Sequence, residues 1–134
     1  MSRILIPILS PHDAHPGFVG RAVADASVVY VLLVLDSRSI HSHFGFKSTE
    51  IMKGRDVVEK VKEEVKRHKR MCTDILEWGP LLEKIAQIAE MKGVDAIVLH
   101  NGENNPYFAT TADDIRKLTR IPVEVVDLSQ YSTK

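Results

Sequence analysis

The sequence predicts an α/β domain with a parallel sheet covered by helices on both faces, and three observations predict it. Two runs, 4–9 and 28–35, are continuously apolar and rich in β-branched residues, as strands buried on both faces are. Segments of helical period alternate with strand-like segments along the whole chain, in the order β-α-β-α-β-α-β-α-β. At 134 residues, 44% hydrophobic and 27% charged, the chain has the length and composition of one globular domain, here taken as residues 1–134.

The first strand is Ile4-Leu-Ile-Pro-Ile-Leu9. Pro16-Gly17 then opens a short helix, in which Phe18, Val19, Ala22, Val23 and Ala26 recur at helical spacing. The second strand is Val28 to Leu35, and residues 36–49 form one long polar loop. That loop ends at Ser48 or Thr49, either of which caps a long helix with Ile51, Val58, Val61 and Val65 on one stripe. Its other faces are charged. Residues 47–70 carry nine basic and five acidic side chains, read as a solvated face with Glu59, Glu63 and Arg67 pairing along it.

Cys72 to Trp78 alternates weakly and reads as the third strand, and Gly79-Pro80 starts a helix with proline at its first position. Leu82, Ile85, Ala86 and Ala89 line that helix, which Gly93 closes. The fourth strand is Val94 to His100. Residues 101–109 are a loop, a helix with Ala112, Ile115, Leu118 and Thr119 on its apolar face follows, and Ile121 to Val126 is the last strand before a short tail, 128–134.

Zero formal net charge removes the field that draws a whole protein to nucleic acid or an acidic membrane, and no aromatic residues interleave the basic helix. The eight-residue apolar run 28–35 falls far short of a membrane span, and the N-terminal run lacks the length and cleavage site of a signal peptide. A lone cysteine, Cys72, fits a reducing cytoplasmic compartment and reads as a small buried hydrophobe.

In sheets of this kind ligands bind beyond the carboxyl ends of the strands, where the strand order reverses. The first and fourth strands are the expected point, so Ser10-Pro-His-Asp13 and His100-Asn-Gly102 would face each other. The candidate crevice residues are Ser10, His12, His100, Asn101, Asn105 and Thr110. Trp78, Tyr107 and Phe108 are further residues for its wall, with Trp78 equally a packing residue. Phe44 and Phe46 either cover a ligand or partner or pin their own loop.

No Gly-x-Gly-x-x-Gly follows the first strand, and there is no Walker loop. The acidic residues that a phosphoacceptor domain needs at the ends of its first and third strands are replaced by Leu9-Ser10 and Trp78-Gly79. His12, Asp13, His15, His41, His43 and His100 are of types that ligate a transition metal if they converge. His-rich polar loops are otherwise simply solvated, and no metal is assigned.

Ile4-Leu-Ile-Pro-Ile-Leu-Ser-Pro11, Gly79-Pro80 with Ile85 and Ala89, Asp95-Ala-Ile-Val-Leu99 and Ile121-Pro-Val123 together resemble the universal stress protein family over residues 3–127. The resemblance implies a doubly wound five-stranded sheet of order 3-2-1-4-5 and a homodimer paired through the last strand, Ile121 to Asp127. Members that bind ATP carry an Asp after the first strand and a Gly-x-x-Gly, nine residues, Gly-Ser/Thr pattern after the fourth. Here Leu9 stands at the Asp, His100 at the first Gly and Ala109-Thr110 at the Gly-Ser/Thr; Thr110 alone survives. An amide nest over Asn101, Gly102, Glu103, Asn104 and Asn105 would set Glu103 beside any phosphate, and Asp114, in the first turn of the last helix, would compete with an anion there.

The reading is therefore a cytoplasmic, homodimeric stress or regulatory module without ordinary ATP binding and without assigned catalytic residues. One alternative is an ATP- or AMP-binding member with a non-standard phosphate loop. Another is a nucleotidyltransferase-like enzyme. His15-Pro-Gly-Phe18 is similar to the His-x-Gly-His of those enzymes, and Thr110 to Arg116 to their second signature, but Phe18 replaces the second histidine.

Overall fold

The computed structural model of the chain describes residues 2–36, 44–102 and 106–127. Its five strands, β1 (Ser2–Pro7), β2 (Ala26–Leu35), β3 (Met71–Trp78), β4 (Ala96–Asn101) and β5 (Val123–Asp127), form one parallel sheet in the order β3-β2-β1-β4-β5. Helices α1 (Pro16–Val23) and α2 (Ile51–Arg67) lie on one face, and α3 (Leu81–Lys92) and α4 (Phe108–Leu118) on the other. This is the expected doubly wound arrangement. The order reverses between β1 and β4, so the chain leaves β1 toward one face and β4 toward the other.

Sequence pattern explains which strand sits where. β1, β2 and β4 are apolar without alternation because both their faces are covered, and Leu5, Ile6, Val31, Leu32, Ile97 and Leu99 are buried. Alternating side chains feed two cores. Ile4, Ile6, Val29 and Val31 pack toward α1 and α2, while Leu5, Leu32, Ile97 and Leu99 pack toward α3 and α4. β3 is an edge strand and alternates in burial, as expected.

The helix ends follow local chemistry. α1 begins where the His15 Nδ1 accepts the Gly17 N–H at 2.9 Å. α3 ends at Gly93, whose φ of 62° lets its N–H turn back to the carbonyls of Ala89 and Glu90. Pro80 precedes α3 as its cap and is not its first helical residue; its φ of −62° is helical but its ψ of 127° is extended. α4 begins at Phe108, inside the segment expected to be loop, because the Phe108 side chain is drawn into the core beneath α3 and α4. Asp114 consequently lies in the second turn, where it pairs with Lys117 at 3.8 Å. On α2 the ion pairs are Asp56 with Lys60, Glu59 with Lys62 and Glu64 with Arg67, so Arg67 pairs with Glu64 and not Glu63. Cys72 is half-buried, less covered than the sequence suggests, because it stands on the edge strand.

Described parts of the long loop return to the sheet. The Asp36 N–H donates to the Phe46 carbonyl at 3.1 Å, Phe46 is buried, and Phe44 meets Phe108 edge-on with ring centroids 5.3 Å apart. Both aromatics therefore anchor the loop on its own domain.

α2 approaches β2 at Gly54, where an added Cβ would lie 2.7 and 2.9 Å from the two terminal carbons of Leu33. Alanine adds roughly 1 kcal/mol of helix propensity, but forcing a methyl into a packed interior costs about 1–3 kcal/mol. Gly54→Ala is expected to lower unfolding free energy by about 1 kcal/mol in urea titration; an increase would show that α2 can shift away from β2.

Candidate functional site

The β1 ladder runs on as far as the Ile8 N–H, which donates to the Leu32 carbonyl at 2.8 Å, and the next two amides are claimed by a side chain. Ser10, Pro11 and Asp13 form a capped 3-10 turn over Pro11–Ala14. The Leu9 N–H donates to Asp13 Oδ2 at 2.6 Å and the Ser10 N–H to the same oxygen at 3.1 Å. The Ser10 hydroxyl in turn accepts the His12 N–H at 3.2 Å. This is the reciprocal pattern that serine followed three residues later by an acid makes at a helix start.

The other Asp13 oxygen, Oδ1, lies 3.3 Å from Nδ1 of His100 near the end of β4. Asp13 and His100, 2% and 5% exposed, are the two buried polar or charged residues among the described residues. The His100 ring stacks on Phe18 of α1, with centroids 4.3 Å apart and planes 17° from parallel. Burial pushes the Asp13 carboxyl up, while the His100 hydrogen bond and the two amides pull it partly back. With the carboxylate ionised, Nδ1 carries the proton and donates to it.

Gly102 follows closely. An added Cβ there would stand 2.5 Å from Cε1 and 2.9 Å from Nε2 of His100, so only glycine lets the backbone pass the ring. Around this knot the space bounded by Leu9, Ser10, Phe44, His100, Asn101, Gly102 and Phe108 has a volume of about 10 Å³, about that of one probe-sized water.

The structure brings Ser10, His100 and Asn101 together and separates the other expected residues from them. The Asn101 side chain donates to Asp127 Oδ1 at 3.0 Å, which ties β4 to β5. His12 is exposed on the 3-10 turn, and Thr110 is exposed in the first turn of α4. Asn105 lies outside the described residues, as do His41, His43 and most of the proposed amide nest. Among the described residues no three metal-ligating side chains converge. Phe108 does line the space, whereas Trp78 and Tyr107, each about half exposed, do not.

Three participants are not among the candidate crevice residues drawn from the sequence: Asp13, Phe18 and Gly102. A signal existed for Asp13, since Ser10-x-x-Asp13 is a helix-start pattern. Phe18 reads as a core residue by its spacing, and only the tertiary contact shows that His100 is what it packs against.

No protein-family model and no curated protein matches the sequence. Solved structures do. The hypothetical protein MJ0577 is 22% identical, over 94% of this chain and 95% of its own, with a TM-score of 0.71. The chain has the universal-stress-protein fold. The universal stress protein of Archaeoglobus fulgidus in complex with dAMP is 15% identical over 93% and 97% of the two chains, at a TM-score of 0.66. A universal stress protein family protein of Arabidopsis thaliana with AMP bound is 13% identical over 95% and 92%, at 0.65. At these identities the likeness is one of fold.

Burial raises the Asp13 carboxyl above its ordinary 3.8, so between that value and the native pKa the native chain holds a proton there that the unfolded chain has released. Its contribution to stability is complete below that value and is lost as pH rises through the native pKa. The stability advantage of the wild type over Asp13→Asn is therefore expected to be larger near pH 4 than near pH 7. Urea midpoints at the two pH values test this, and an advantage that grows with pH would refute it.

Proposed function

We propose that this chain is a universal-stress-protein-like regulatory or stress-response module, cytoplasmic and homodimeric, whose crevice no longer takes ATP in the ordinary way. One observation carries the reading. Among the described residues, Leu9, His100 and Phe108 meet between the ends of β1 and β4, with Asp13 and Phe18 holding the imidazole in place, and the space they line is about 10 Å³. A nucleotide needs a pocket of hundreds of Å³. Leu9 supplies no hydrogen-bonding side chain, and Thr110 is exposed in the first turn of α4 and does not line that space. Among the described residues no helix is long and apolar enough to cross a membrane.

The resemblance assigns the second copy to β5, where Glu124 is exposed on the outer strand of the sheet. A second reading is adenine-nucleotide binding through a non-standard phosphate loop, favoured by the dAMP and AMP held in structures of the same fold. Nucleotidyl transfer has less support. Phe18 is fully buried against His100, so it is a packing residue, and His15 is exposed with its Nδ1 engaged by the Gly17 N–H.

Isothermal titration of the protein with ATP and with AMP separates the readings. No heat of binding is expected at ligand concentrations of about 1 mM, which excludes affinities tighter than about 4 kcal/mol. A micromolar dissociation constant for either nucleotide would overturn the proposal in favour of the second reading, and pyrophosphate release from ATP would favour the third.

A further inference from the structure

The sheet ends at β3 on one side and β5 on the other. β3 is the longer edge, eight residues against five. It pairs with β2 residue for residue, from Met71 opposite Val28 to Trp78 opposite Leu35, without a bulge. Among the described residues its outer backbone faces no strand. Natural edges of this length are guarded by lysine, proline, bulges or inward-pointing charge. Met-Cys-Thr-Asp-Ile-Leu-Glu-Trp has no lysine, no proline and no bulge.

Its two charges are neutralised from within the domain. Lys62 Nζ of α2 lies 3.0 Å from Asp74, and Lys84 Nζ of α3 lies 3.5 Å from Glu77. Three apolar side chains of the same strand stand in solvent: Met71 at 72% exposure, Leu76 at 41% and Trp78 at 53%. A groove of about 340 Å³ lies beside Leu76, lined also by Leu33, Arg55, Val58, Glu59, Asp74 and Ile75.

We infer that β3 is a self-association edge, pairing antiparallel with β3 of a second copy about a two-fold axis through Ile75. The register follows from charge and pleat. Cys72 and Asp74 face α2, which puts Leu76 and Trp78 on that side, while Ile75 and Glu77 face α3. A two-fold axis normal to the sheet keeps each face with its own kind, so residues opposite each other must share a face. Only axes at Asp74 and Ile75 pair seven residues of the eight-residue strand, and the one at Asp74 would set that carboxylate against itself. An axis at Ile75 sets Ile75 against Ile75, Leu76 against Asp74, Trp78 against Cys72 and Thr73 against Glu77, with no like charges opposed. It also places Leu76 of the second copy, opposite Asp74, at the mouth of the groove. This edge is separate from β5, so the two modes of association can be told apart.

Opposite residues of an antiparallel pair are within disulfide reach, whereas residues 72 and 78 of one strand are ~20 Å apart. Trp78→Cys, with the native Cys72, is therefore expected to give a disulfide-linked dimer on mild oxidation. The doubly substituted Cys72→Ser, Trp78→Cys protein should give none. Thr73→Cys with Glu77→Cys in a Cys72→Ser background repeats the test with Trp78 in place. By light scattering, Leu76→Lys, an exposed change, is expected to weaken the wild-type dimer at least ~10-fold, equivalent to about 1.4 kcal/mol.

Absence of the cross-link in both cysteine designs, or a dimer unaffected by Leu76→Lys, would overturn the inference. A cross-link from Val125→Cys in a Cys72→Ser background, without one from β3, would do so while supporting association through β5. A wild type that stays monomeric at about 100 μM, weaker than roughly 5.5 kcal/mol, would remove both modes.

Discussion

A buried carboxyl group that accepts two backbone amides and faces a buried imidazole sets the shape of the sheet between the ends of β1 and β4. Asp13 is the hub. Its Oδ2 takes the N–H groups of Leu9 and Ser10 just where β1 would otherwise continue, so the chain turns into the Pro11–Ala14 segment and then into α1. A buried amide left unpaired costs about 1–3 kcal/mol, which makes the turn and the carboxylate mutually dependent. Its other oxygen reaches across the strand-order reversal to His100, so one side chain joins the two strands whose divergence opens a crevice in this class of sheet.

The chemistry of the crevice then follows from what His100 needs. An imidazole buried between strands must be oriented by a hydrogen bond and covered by apolar surface, and Asp13 and Phe18 provide the two. Glycine at 102 lets the backbone pass the ring. Where ATP-binding members of the resembled family carry glycine so that backbone amides can approach phosphates, this chain has placed a ring and packed it. Likeness of fold to nucleotide-bearing structures does not fix what binds here, because fold resides in the backbone layers and binding in the side chains at their ends.

The two edges of the sheet show the same separation. β3 keeps the hydrogen-bonding register of an interior strand along its whole length, yet its side chains alternate because only its inner flank is covered. Ion pairs to Lys62 and Lys84 neutralise the charges that would keep another strand away. Such an edge is prepared for pairing by its own domain's helices, a feature absent from the eight-residue pattern alone.

Much of the architecture was readable in one dimension. Continuous apolar runs at 4–9 and 28–35 are those of strands covered on both faces, and the β-α alternation predicts a parallel sheet, while the order 3-2-1-4-5 came from the family resemblance. Gly93 and Pro16 mark helix limits because their backbone preferences are local. Ser10, His100 and Asn101 were placed near one another because topology alone brings the ends of β1 and β4 together. The start of α4 was not readable, since burial of Phe108 beneath two helices outweighs the loop-like composition before it. Nor was the packing at the ends of β1 and β4. That depends on Asp13, Phe18 and His100, which come from three different elements and become a hydrogen bond and a stacked pair only when packing has set them within 3.3 and 4.3 Å. Periodicity records which face a residue takes, and the neighbour it meets there is decided by the third dimension.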